Sequence, residues 1–205
     1  VNIEELPCER VSQQLGWQES AGCEGFLWGR RVITGNSQAN TTTDTGISDG
    51  VPATCPAITF RGADEGDDQL VAGFHARGSF EVWREAIGVL VDFPRVRLVI
   101  YASLSAAVLR IVQAVNYILS YSSPTSQGKT TTIRVGASCW GCPDERSPEA
   151  AIGTWDATRT WIERAATVLC DHPLILDDTK LASHPDAIAR VLYDVGSGRG
   201  RGRGS

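Results

Sequence analysis

Gly128-Lys129-Thr130 places an ammonium group and a hydroxyl directly behind a glycine, an arrangement suited to holding polyphosphates. In the pattern G-x-x-x-x-G-K-[ST], backbone N–H groups of a small-residue loop and of the helix behind it point at the β-phosphate. The lysine sets a compact charge between the β- and γ-phosphates, and the Ser or Thr hydroxyl turns onto Mg²⁺ as the helix begins. The run Ser123-Pro124-Thr125-Ser126-Gln127-Gly128-Lys129-Thr130-Thr131 meets this pattern, except that Ser123 holds the place of the first glycine. Further along, Pro173-Leu174-Ile175-Leu176-Asp177-Asp178 is an apolar strand ending in two carboxylates. That is the Walker B form, in which Asp177 would hold the metal through water and Asp178 would polarise the attacking water. Each half alone has an ordinary alternative: Gly-Lys-Thr can simply open a helix, and a buried strand can end in a solvated Asp-Asp turn. Together, in this order, they point to ATP and Mg²⁺. Lys129 and Asp178 are then the catalytic candidates, Ser123 to Thr131 surround the phosphates, and Thr130 and Asp177 hold the metal.

The elements around these motifs have the expected form. Tyr117-Ile118-Leu119-Ser120-Tyr121 reads as a short strand of β-formers running into the loop, and Thr130 to Cys139 reads as the helix behind it. Upstream, Ser79 is a plausible N-cap with Glu81 in the first turn. Phe80, Val82, Trp83, Ile87 and Leu90 recur at helical spacing until Asp92-Phe93-Pro94 stops the run. A second helix is expected over Val96 to Ala114, with Leu98, Ala102, Ser105, Leu109 and Val112 on its packed face and small residues that permit close approach. Residues 1–75 have a different texture, rich in Gly, Thr, Asp and Ser, with short apolar runs at Gly25–Ile33 and Ala57–Phe60. They read as a small β-rich region, in which Thr34–Pro56 forms a long polar loop. The expected division is therefore 1–75 and 76–205.

Bulk composition sets looser bounds. The chain has 205 residues, 42% of them hydrophobic and 21% charged, which is ordinary for a globular protein, and its formal charge of −5 offers no global basic field. Any nucleic-acid contact would have to come from a local patch. There is no methionine, even at position 1, and the chain closes on a Gly/Arg/Ser run, so a fragment of a longer protein is expected. The longest apolar stretch, Leu98–Leu109, is flanked by Arg97 and Arg110 and falls short of the roughly 20 residues a membrane span needs. With no basic-then-apolar leader, a cytoplasmic protein without a membrane partner is expected. The six cysteines are scattered; Cys139-Trp140-Gly141-Cys142 could be half of a zinc site or a redox pair, but His172 and His184 do not supply the second half. Buried or helix-end thiols are the plainer reading. Trp155 and Trp161 read as packing residues around a helix that leads to the acidic strand, and His172 as a strand-entry residue.

Several runs together resemble a known family. They are Gly78-Ser-Phe-Glu-Val-Trp83, Leu104-Ser-Ala-Ala-Val-Leu-Arg110, Ser122 to Gly141 with its Gly-Lys-Thr-Thr-Thr, Leu174-Ile-Leu-Asp-Asp178, and Val191-Leu-Tyr-Asp-Val-Gly-Ser-Gly-Arg-Gly-Arg201. With Leu15-Gly16-Trp17 and Gly25-Phe26-Leu27, they make most of the chain similar to the bacterial and phage family called domain of unknown function 927. The resemblance implies a helicase-like P-loop ATPase associated with primases, phages or mobile elements and with DNA replication. Its fold would be α/β, a P-loop core of the additional-strand type, incomplete after the Walker B region and preceded by the β-rich part. Residue by residue, Ser123, Gly128, Lys129 and Thr130 match the family's phosphate loop and Asp177 its metal acid. Asp178 stands where the family has glutamate, and its shorter side chain would hold an attacking water about one methylene farther back. Slow hydrolysis, or binding without hydrolysis, follows as an alternative.

The resemblance also implies partners: nucleic acid, single-stranded DNA in the intact protein, and further copies of the chain. Gly198-Arg199-Gly200-Arg201-Gly202-Arg203-Gly204 could contact a nucleic-acid strand or lend an arginine to a neighbouring γ-phosphate, and equally could be a solvated end. Two other functions fit the same motifs: a P-loop kinase or other phosphotransferase, and a nucleotide-binding interaction module that does not hydrolyse.

Overall fold

The computed structural model describes residues 10–20, 23–34, 58–122, 127–178, 188–189 and 191–193. The chain is a mixed α/β structure built from small sheets and helices. Glycine and turn residues break the N-terminal part into short strands, as the sequence suggests. Strands β2 (Gly16–Ser20), β3 (Cys23–Trp28) and β4 (Arg31–Thr34) form an antiparallel meander in which Trp17 faces Phe26 and Leu27 faces Val32. Beside it, β1 (Arg10–Ser12) runs parallel to β5 (Ile58–Phe60).

A helix unforeseen from the sequence follows, α1 (Glu65–Ala72). Asp64 caps it by accepting the Gly66 and Asp67 N–H groups, and Glu65, Asp67 and Asp68 sit in its first turn, where the helix dipole favours negative charge. That acidic run reads as a turn in one dimension because its apolar residues, Leu70 and Val71, are few.

Ser79 does cap α2 (Phe80–Leu90), its hydroxyl accepting from the Val82 N–H. Proline at the first helical position opens α3 (Pro94–Leu109), and α4 (Lys129–Ala137) falls where the Gly-Lys-Thr signal places it. The packed face of α3 differs from the expected one: Val99, Ile100 and Ser103 are buried, whereas Leu98 is 52% and Val112 61% exposed. Because α3 is apolar around most of its circumference, periodicity cannot choose a face, and small-residue packing does. A Cβ on Gly136 would lie 2.8 Å from Val99 Cγ1, so α4 seats closely on α3, with Ser103 Oγ donating to the Gly136 carbonyl at 2.8 Å. The helix also stops short of Ala114; Gln113 takes a left-handed conformation with φ 54°.

A second expectation fails. Residues 114–122 take no regular secondary structure and belong to no sheet, and Tyr117, Ile118 and Leu119 are 48%, 44% and 40% exposed. A strand exists by pairing, and among the described residues none pairs with this one. Its attachment is instead through Tyr117, whose hydroxyl donates to the Ala102 carbonyl at 3.0 Å. The last sheet is a parallel pair, β6 (Gly153–Thr154) with β7 (Leu176–Asp177), bracketing α5 (Arg159–Val168), which Thr158 caps.

One hydrophobic core joins the N-terminal sheets to the helices. Leu15, Phe26, Leu27 and Phe60 pack with Val71, Phe74, Trp140, Ala151, Val168 and Leu169, so residues on both sides of position 75 share it. At its rim three backbone segments stack directly: a Cβ on Gly141 would meet the Gly73 carbonyl oxygen at 1.9 Å, and one on Gly73 would meet that of Ala150 at 2.3 Å. Only glycine fits at such a close approach.

Candidate nucleotide site

Gly128 is the N-cap of α4, in the left-handed conformation with φ 73°, and Lys129 and Thr130 are the first two helical residues, both half-buried. A glycine N-cap supplies no side chain to the first-turn N–H groups, the arrangement that suits an anion at a helix N-terminus. Gln127 and Thr131 are exposed, while Thr132 is buried. Ser123, Pro124, Thr125 and Ser126 lie outside the described residues, as does the Gly198–Gly204 run.

The acidic end of β7 is held by backbone pairing: Gly153 N–H donates to the Ile175 carbonyl at 2.9 Å and Trp155 N–H to that of Asp177 at 3.1 Å. Asp177 is half-buried, and Asp178 is exposed in a left-handed conformation with φ 54°, its own N–H donating to Asp177 Oδ1 at 2.7 Å. Non-glycine residues in that region are uncommon, with Asp and Asn the best tolerated.

One charged residue of α4 lies outside both motifs. Arg134 lies four positions beyond Thr130, so helical geometry puts both on one face of α4. Its guanidinium makes two hydrogen bonds to Glu145, one of them from Nε at 2.8 Å. Those bonds raise its pKa against an opposing desolvation, and the charges of Glu145, Asp144 and Asp177 add to the effect. Glu145 is correspondingly held below the usual carboxylate range by Arg134. The i, i+4 relation of Thr130 and Arg134 was available in the sequence; the pairing with Glu145, across a turn, was not.

Other residues singled out by type are structural. Cys139 packs against the core, where burial pushes its thiol up to about 11, far from a reactive or metal-ready thiolate. Cys142 sits in the turn where its N–H donates to the Gly73 carbonyl at 3.0 Å. His172 is buried, with ring centroids 4.8 Å from Phe26, 4.7 Å from Trp140 and 5.4 Å from Phe74. Trp161 lines a cavity of ≈ 250 Å³ together with Glu145, Ile152 and Ile175, among others. His184 lies outside the described residues.

Residues 2–205 match the family described as domain of unknown function (DUF927). The chain belongs to this family. That bears out the resemblance drawn from the Gly-Lys-Thr, Leu-Asp-Asp and Gly-Arg runs. Among solved structures, the fold is similar to a chain titled "SCCmec type IV Cch - active helicase", with a TM-score of 0.67 and 18% identity. The superposition covers 97% of this chain and 34% of the helicase chain, so the DUF927 chain spans about a third of that length. A likeness at this identity establishes a shared fold. No curated protein matches. Among the described residues, no helix is long and apolar enough to cross a membrane.

Proposed function

We propose that this DUF927 chain is the nucleotide-binding part of a helicase-like P-loop ATPase that works on nucleic acid in the intact protein. The observation that carries this reading is the left-handed glycine N-cap of α4, Gly128, which opens the helix with Lys129 and Thr130 in its first turn and leaves the first-turn N–H groups without a side-chain cap. A phosphate loop and a metal-holding acid have to converge on Mg·ATP, and the approach of Asp177 to Thr130 is part of the proposal. The helicase-titled neighbour with the same fold adds support for the class.

In this reading, the first-turn N–H groups of α4 and Lys129 bind the phosphates, and Thr130 and Asp177 hold Mg²⁺, which neutralises charge on the β- and γ-phosphates when bound. Lys129, anchored at the first position of a helix seated on α3, sets its charge from a rigid base. Asp178 is the candidate to orient water, and its side chain, one methylene shorter than the family's glutamate, favours binding with slow hydrolysis over fast turnover. The nucleic-acid partner, single-stranded DNA, and assembly into a homo-oligomer belong to the same proposal.

Calorimetry of Mg·ATP binding to the chain and to Lys129→Ala tests it. The variant is expected to lose at least about tenfold in affinity, equivalent to roughly 1.4 kcal/mol. Equal affinity in the two proteins would remove the phosphate site. Phosphate release with and without single-stranded DNA then separates a motor from a module that only binds.

A further inference from the structure

The segments that lead to the two halves of the site are both gripped by one hairpin of the N-terminal meander. On one side is the C-terminal turn of α3, the helix on which α4 is seated. The Trp17 indole N–H donates to the Ala107 carbonyl at 2.7 Å, satisfying one of the last carbonyls of α3 that has no partner within the helix. Arg110, just past that end, returns a hydrogen bond to the Trp17 carbonyl at 3.1 Å and another to Glu19 at 2.7 Å. On the other side is the turn that runs into β7. Asp171, in a left-handed conformation with φ 58°, accepts the Trp17 backbone N–H at 3.0 Å. Its Oδ2 also lies 3.6 Å from Arg110 Nη1, and its side chain is 11% exposed. The approach is tight, since a Cβ on Gly16 would lie 2.4 Å from the Cys170 carbonyl oxygen.

We propose that Asp171, acting with Arg110 and Trp17, is a positioning residue that ties the seat of Lys129 to the strand of Asp177, so that the N-terminal sheet sets the spacing between them. A carboxylate suits this place because it takes the Trp17 N–H and sets a negative charge against the Arg110 guanidinium at once. The positive φ at Asp171 is held in place by these contacts, as a strained residue must be. Movement of the sheet would therefore reach both halves of the site together. The functional meaning rests on the nucleotide reading above; the mechanical tie does not.

Amide hydrogen exchange in Asp171→Ala and Asp171→Asn tests the tie directly, with Arg30→Ala, which cuts an exposed pair with Asp68, as the control. Thr132, whose N–H bonds Gly128, reports on α4, and Gly153 and Trp155, whose N–H groups bond the carbonyls of Ile175 and Asp177, report on β7. Faster exchange at both places in Asp171→Ala, a smaller rise in Asp171→Asn and none in Arg30→Ala is the expected result. A rise confined to one side, or equal in the control, would overturn the proposal. The second readout is Mg·ATP affinity, expected to fall about fivefold or more in Asp171→Asn, the low end for coupled sites. Unchanged affinity in a variant whose parent binds would also overturn it. Coupled exchange in a parent that binds no nucleotide would support the tie and sink the nucleotide reading instead.

Discussion

Two regions of the molecule are similarly apolar and have opposite fates. Around Leu27 and Val71, both 0% exposed, Phe26 and Leu27 of the meander share one core with Val71 of α1, Val168 of α5 and Trp140. Across α2, the outer face of α3 and the segment behind it, Phe80, Val89, Tyr101, Ile111 and Val115 stand 62–85% exposed. The α2 helix buries no residue at all. Burial here follows from what an element can pack against, not from how apolar it is. Hydrophobic surface stabilises only where a partner removes it from water.

The largest expected contrast comes from truncation. Leu27→Ala should lower stability by about 2–5 kcal/mol, whereas Val115→Ala should change it by less than about 0.5 kcal/mol, as read from urea midpoints. Similar losses at the two positions would mean that the outer face is covered in solution.

Next is pH. His172 is held neutral, its pKa lowered to about 4 chiefly by burial, and its Nε2 has no hydrogen-bond partner. In the unfolded chain it titrates near 6.5, so below that value the unfolded state binds a proton that the folded state refuses. The neutral-histidine contribution is fully present above pH 6.5 and is lost as pH falls toward 4, by up to about 3 kcal/mol. His172→Phe, which keeps the ring stacking, should flatten this dependence between pH 7 and 4.5. An unchanged slope in the variant would place the titration elsewhere.

A smaller effect is expected from charge on the outer face. Leu104→Glu, at a position 44% exposed, should leave the thermal midpoint within about 2 °C and raise solubility. A collapse of stability would show that the face is structural within this chain.

The same contrast explains what could be read in the sequence. Local signals survived: the Ser79 cap, the glycine before α4 and the breaks of the meander act within a few residues, whereas α3 begins at Pro94, two residues before the expected Val96. Expectations that depended on a distant partner fared worse. The β-formers of Tyr117–Tyr121 cannot make a strand alone, and the apolar circumference of α3 left its packed side to be chosen by Ser103 and Gly136. The site divides in the same way. Lys129, Thr130 and Asp177 are proposed from motif chemistry alone, whereas the Arg134–Glu145 pair exists only once Glu145 folds back onto α4. The role of His172 was invisible for a related reason, since Phe26, Phe74 and Trp140 come from three separate stretches.

The stacked backbones at Gly73, Gly141 and Ala150 explain the Cys139–Cys142 spacing without any thiol chemistry. Trp140 must turn inward to reach Phe26 while the next residue lies flat against Gly73, and this leaves the flanking cysteines wherever that bend puts them. A methyl group at Gly141 would act as a wedge, prising the bend off α1 and drawing Trp140 away from the imidazole it covers. The seam between sheet and helices would then open from its edge, which makes this glycine, remote from any phosphate, the hinge pin of the whole assembly.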